Sequence, residues 1–230
     1  LGALYVYFIA SADENDLPYL ASLTRDRGME VILQKHSEML GRLGTAKGGE
    51  SIARAAKEGM RTIEYYTGLQ KEALASIERI IPTEKRPEAR KSLAPYARAI
   101  DELGALMAKQ LLNAAEQKAG NAPLPFASIQ KPETAGEREA AGLIPRRHHI
   151  GIYSLQGIPV EEWAEVSSDP HWWSASYPAS ASLWWCDGKR NLNEIKELCE
   201  LEAGRPMDNF DFVKYYRFLE KFDLVEFAKQ

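Results

Sequence analysis

Cysteine is close to absent from this chain: Cys186 and Cys199 are the only two in 230 residues. Thirteen positions apart and both in apolar helical surroundings, they fit two buried thiols and not a disulfide framework. Histidine is scarce as well, at four residues. His148 and His149 are adjacent, and neighbours on a strand point to opposite faces, so they make a poor metal site; His36 and His171 have no carboxylate partner recognisable from spacing. Basic charge is in deficit, with 29 Lys and Arg against 33 Asp and Glu and a net charge of −4, which argues against nucleic acid or an anionic membrane as partner. No apolar run reaches the roughly 20 residues of a membrane-spanning helix. Phosphate loops and nucleophile elbows are missing too. Gly44-Thr45-Ala46-Lys47-Gly48-Gly49 follows no strand and lacks a Gly-Lys-Ser/Thr ending. Ser174-Ala175-Ser176 and Ser180-Ala181-Ser182 lack a strand-to-helix elbow. No catalytic residue, metal ligand or cofactor-binding residue is therefore assigned.

What is present is helical patterning. With 45% apolar and 27% charged residues the chain can bury a sizeable core, and two lobes are expected. Leu1 has no initiator Met before it, and Leu1 to Ala10 is apolar throughout, as though the chain opened inside a helix. That segment lacks the basic start of a signal peptide, and we expect further sequence upstream, with any chemistry located there. Asp16-Leu17-Pro18 signals a helix start, with Asp as cap and Pro in the first turn. Leu20, Leu23, Val31, Ile32, Leu40 and Leu43 continue an apolar stripe, interrupted near Gly28, and Gly41 to Gly49 reads as a loop. A second helix is predicted over about Glu50 to Ile81, with Ile63, Tyr66, Leu74, Ile77 and Ile80 on one side. A third, about Glu88 to Lys118, carries Leu93, Tyr96, Ile100, Leu103, Leu106, Met107 and Leu111, a face wide enough for two neighbours. Residues 1–120 thus read as a helical hairpin or bundle.

Residues 121–177 read as an extended connection, rich in Pro, Ala and Glu as far as Pro145. Arg146, Arg147, His148 and His149 form the densest polar cluster, expected to make surface or inter-lobe salt bridges, and Ile150 to Leu155 is strand-like. Trp163, Trp172, Trp173, Trp184 and Trp185, all the tryptophans of the chain, fall within 23 residues. Indoles in such number can line a cleft or join two lobes, and the join is the favoured reading.

Residues 178–230 read as a small winged-helix module. An apolar helix end breaks on Asp187-Gly188, a pair that supplies the positive φ of a tight turn, followed by Lys189 and Arg190. Asn191 caps a helix carrying Leu192, Ile195, Leu198 and Cys199; Gly204-Arg205-Pro206 stops it, and Asp208 or Asn209 caps the next. That last helix places Phe212, Tyr215, Tyr216, Leu219 and Phe222 on one side, and Leu224 to Phe227 alternates like a strand. Charge again disfavours DNA: Asp187 to Gln230 holds eight basic against ten acidic residues, a net of −2. The fold class expected is mainly α, a long-helix hairpin or bundle followed by a C-terminal winged helix. Trp163, Trp172, Trp173, Trp184, Trp185, Asp187, Gly188 and Arg190 are the candidate contact residues.

The stretch from Ala181 to Val225, through Trp184-Trp185-Cys186-Asp187-Gly188-Lys189-Arg190, Asn193-Glu194-Ile195, Glu202-Ala203-Gly204 and Phe218 to Val225, resembles the winged-helix tail of some M28-type zinc aminopeptidases. Leu4 to Ala12 is similar to the late helix of that catalytic domain. The resemblance implies zinc only in an upstream domain, because none of the His, Asp and Glu ligand motifs is matched here. It implies a non-catalytic accessory region whose partner is protein, either an upstream domain or a second copy. The turn followed by a Glu-Ile helix is also similar to peptide-binding winged-helix modules of the PqqD kind, which implies the alternative of a stand-alone regulator or carrier with a peptide ligand. Nothing in the cysteine count dictates a compartment, and a cytoplasmic setting is the favoured expectation.

Overall fold

A computed structural model describes residues 12–127, 134–148, 161–162 and 176–228. The apolar opening segment, the strand expected at Ile150 to Leu155, and Trp163, Trp172, Trp173, His149 and His171 lie outside the described residues. The chain divides into two units, Leu1–Gln130 and Lys131–Gln230.

The first unit consists of three long helices packed together, α1 (Leu17–Thr45), α2 (Gly49–Ser76) and α3 (Arg86–Lys118). Pro18 stands in the first turn of α1 as expected. The cap lies one turn earlier than predicted: the Asp13 carboxylate accepts from the Asn15 N–H at 2.7 Å, and the Asp16 carboxylate accepts from the Asp13 N–H. Ile32, Met39 and Leu43 from α1, Ile63 and Leu74 from α2, and Ile100 and Leu111 from α3 form the core. At the end of α2 the chain tightens into a 3₁₀ turn, Ile77–Ile80, so the α-helix is shorter than its apolar spacing suggests.

Three expectations for α1 are corrected. The helix runs without a break through Gly28, because that glycine marks a close crossing: a Cβ there would lie 3.0 Å from Gln70 Cβ. Nor is Gly41 to Gly49 a loop throughout, since α1 continues to Thr45 and leaves only Ala46 to Gly48 between the helices. Burial of Leu43 and a hydrogen bond from Lys118 Nζ to the Gly44 carbonyl, at 3.0 Å, hold that last turn. The apolar stripe is split as well. Ile32 and Leu43 are buried, whereas Leu23 and Leu40 are exposed. On α3, Leu106 is likewise exposed.

His36 is 9% exposed on the buried side of α1, and its Nε2 is buried with no hydrogen-bond partner. Burial lowers its pKa below the ordinary histidine value. The unfolded chain then takes up a proton more readily than the folded one. The stability of this unit is therefore full above about pH 6.5 and falls as pH drops through that value toward the folded-state pKa. Urea unfolding across this range should show the slope and His36→Leu should flatten it; a slope that survives the substitution belongs to another group.

The second unit contains α4 (Ala135–Ala141), β1 (Pro145–Arg147), α5 (Ser176–Trp184), α6 (Leu192–Ala203), α7 (Phe212–Lys221) and β2 (Val225–Phe227). Residues read as connection contribute α4, whose capping box joins Thr134 and Glu137. Its Ala140, with Leu143, enters the core that α6 and α7 build from Leu192, Ile195, Cys199, Tyr215, Tyr216 and Leu219. Asn191 caps α6 as expected, in a capping box with Glu194, and Gly204 ends it in the left-handed region at φ 65°. The cap of α7 is Asp211, accepting from the Lys214 N–H at 2.9 Å. Asp208 instead pairs with Lys196 at 3.0 Å across the connection.

Candidate interaction site

The site grows from the end of α5. Trp184 and Trp185 are consecutive, and 100° of helical rotation sends them different ways. Trp185 is half-buried against the core of its own unit, with Nε1 3.4 Å from a Glu202 carboxylate oxygen. Trp184 is 62% exposed. Each indole carries a guanidinium: Arg147 stands 5.4 Å above the Trp184 ring and Arg190 5.3 Å above Trp185.

After Cys186 the chain turns. The Asp187 carboxylate accepts from the backbone N–H groups of Lys189 and Arg190 at 2.9 and 3.2 Å and pairs with Arg190 Nη1 at 2.5 Å. Burial pushes its pKa up, but these hydrogen bonds and the Arg190 charge prevail and hold it below the usual aspartate value. Gly188 takes φ 77° and donates to the Pro145 carbonyl at 3.0 Å. A side chain here would meet both a left-handed backbone and the Arg146 side chain, whose Cβ is 3.2 Å from the position of an added Cβ. The Asp-Gly turn is thus seated on β1.

That seating was not visible in the sequence. Asp187 bridges Arg146 on one side of β1, while β2 pairs antiparallel on the other, with Arg146 opposite Glu226. Pro145–Arg147 is the middle of this arrangement. The polar cluster serves it: Arg146 Nε lies 3.2 Å from Glu226, and His148 Nδ1 and Nε2 lie 3.1 and 3.5 Å from Asp223 and Glu226. His148 follows the strand: its backbone N–H donates to the Leu224 carbonyl at 3.2 Å, and its Nδ1 lies 2.9 Å from the carbonyl of Asp223, a left-handed residue two positions before β2. One guanidinium nitrogen of Arg147, Nη1, is buried without a hydrogen-bond partner. Salt bridges were expected of this cluster, and that of Arg146 with Glu226, beside the polar contacts of His148, closes the small sheet.

Both thiols are buried and protonated. Burial pushes Cys186 and Cys199 up to about 12, and both are free cysteines. Among the described residues no group of three His, Cys, Asp or Glu is placed to hold a metal ion, and no helix is long and apolar enough to cross a membrane. What the site offers is an exposed indole plane under a guanidinium, on a turn held by internal hydrogen bonds. Comparison of the chain with protein-family models, curated proteins and solved structures yields no match.

Proposed function

We propose that this chain is a non-catalytic accessory region of a larger, zinc-aminopeptidase-like protein, and that its second unit is a winged-helix module making protein contact. The observation that carries the reading is the contrast at the Asp187 turn. Its carboxylate and the His148 ring are engaged internally and both thiols are buried, while the large apolar side chain of Trp184 faces out. The two-stranded sheet of β1 and β2, with the single bridge from Asp187 to Arg146, supports a small wing beside the helices. Burial of Phe212, Tyr215, Tyr216, Phe218 and Leu219 on α7, together with the acidic balance, supports protein and not DNA as partner.

The second reading, a stand-alone peptide binder, is favoured by the Arg147–Trp184 pair, which suits a ligand with both apolar and acidic groups. Assay of the purified chain with a leucine anilide, with and without added zinc, tests the non-catalytic character that both readings share. No turnover and no retained zinc are expected, and turnover that a chelator abolishes would defeat the proposal. A saturable change in tryptophan emission on adding an acidic-aromatic peptide, lost in Trp184→Ala, would transfer support to the second reading.

A further inference from the structure

Six large apolar side chains stand exposed among the described residues, and four of them lie on α1: Tyr19, Leu23, Leu33 and Leu40. At 3.6 residues per turn these four fall within an arc of about 100°, on the side of the helix away from the residues that enter the core. Helix α1 therefore presents large apolar side chains on two sides, of which only one enters the bundle core; on the outer arc they are interspersed with the exposed Asp26, Glu30 and Ser37. A lone exposed leucine needs no explanation; four aligned on one helix do.

We propose that the outer stripe of α1 is an interface with a second copy of this chain, the two α1 helices lying antiparallel. The stripe complements itself when reversed. Setting Leu23 against the second copy's Leu40 places Tyr19 at the second copy's Gly44, where an added Cβ would have nothing within 4 Å. A large ring meets a vacant glycine. The same register sets Asp26 against Ser37 and Glu30 between Leu33 and the Gln34 amide. On the flank it brings Arg27 beside the second copy's Glu38. Both are exposed, and among the described residues they pair with near neighbours on their own helix, Arg27 with Glu30 and Glu38 with Lys35 and Gln34, pairs that exchange readily in water. A parallel pairing would stack Asp26 on Asp26 and Glu30 on Glu30, which like-charge repulsion opposes. The helix has 29 residues, hence a length of about 43 Å. A two-fold contact along that line presents the same patch from both copies.

The inference is independent of the peptidase-like reading and is tested on the full chain. Light scattering over a concentration series should approach twice the chain mass. Leu33→Glu with Leu40→Glu should return the single mass, with helical circular dichroism retained because both positions are exposed. Arg27→Glu and Glu38→Arg should each weaken association several-fold, and the double exchange should restore it. For orientation, a mixture of Tyr19→Cys and Gly44→Cys chains should cross-link on oxidation, the native cysteines being buried, whereas Tyr19→Cys alone should not. A single mass at every concentration, a dimer that survives the two glutamates, or self-linking of Tyr19→Cys would overturn the proposal.

Discussion

A Gly104→Val chain will lose about 3 kcal/mol or more from the stability of its helical unit, the upper end of what overpacking costs. A Cβ at Gly104 would land on Thr67 Oγ1, 2.8 Å from its Cγ2 and 3.1 Å from its Cβ. Thr67 cannot swing aside cheaply. Its side chain is β-branched and buried, and its hydroxyl donates to the Ile63 carbonyl at 2.7 Å. The strain must pass into the spacing of α2 and α3, which also meet where Gly59 lies against Leu111. Urea unfolding followed by circular dichroism measures the loss. Thr67→Ala in the same chain should recover part of it, a coupling expected only of residues in contact. Gly68→Ala is the control: nothing lies within 4 Å of its Cβ position, and the change should stabilise α2 by up to about 1 kcal/mol. If Gly104→Val melts with the parent, the close crossing is wrong.

Tyr216→Ala should cost the second unit about 3–5 kcal/mol, the range for deleting a large buried side chain. Tyr216 is 0% exposed and its ring stands edge-on to Tyr215 at 5.4 Å, in the middle of the core that joins α6 to α7. Burial also keeps its hydroxyl protonated far above the ordinary tyrosine value, so the ring acts as a core residue with a neutral phenol. Trp184→Ala makes the informative comparison. Although the larger side chain is removed, the loss should stay under about 1 kcal/mol, because the residue is 62% exposed and its contact among the described residues is a guanidinium. Tryptophan-monitored unfolding of both variants decides. A Trp184→Ala loss as large as that of Tyr216→Ala would make the indole part of the scaffold and remove the contact surface on which the proposed function rests.

Much of the second unit was legible because its signals are local. Asp187-Gly188 requires a positive φ, Asn191 and Glu194 lie three positions apart as a capping box demands, and Gly204 ends a helix in the left-handed region. Each acts within about one helical turn and depends little on the rest of the fold. The cap of α7 was misplaced for the same reason: Asp208, Asn209 and Asp211 all qualify by type, and only the Lys196–Asp208 pair shows which one is already engaged. At the site, Trp184, Trp185, Asp187, Gly188 and Arg190 were found as neighbours in sequence. What Arg146, Arg147 and His148 do there was not legible, since their partners Glu226, Trp184 and Asp223 lie tens of residues away.

Residue order by itself determined that this chain forms long helices, where most of them begin, that its two thiols are buried, and that its last helix turns an aromatic face inward. Those outcomes follow from periodicity and end chemistry, which are properties of a single segment. Tertiary structure alone decided that Gly28 is a crossing and not a break, that Leu43 faces in while Leu40 faces out, and that Pro145–Arg147 lies between the Asp187 turn and β2. A helix with apolar residues on two sides does not say which side the core will take, and a three-residue strand does not name its neighbours. Both are chosen by which distant surfaces can be buried together.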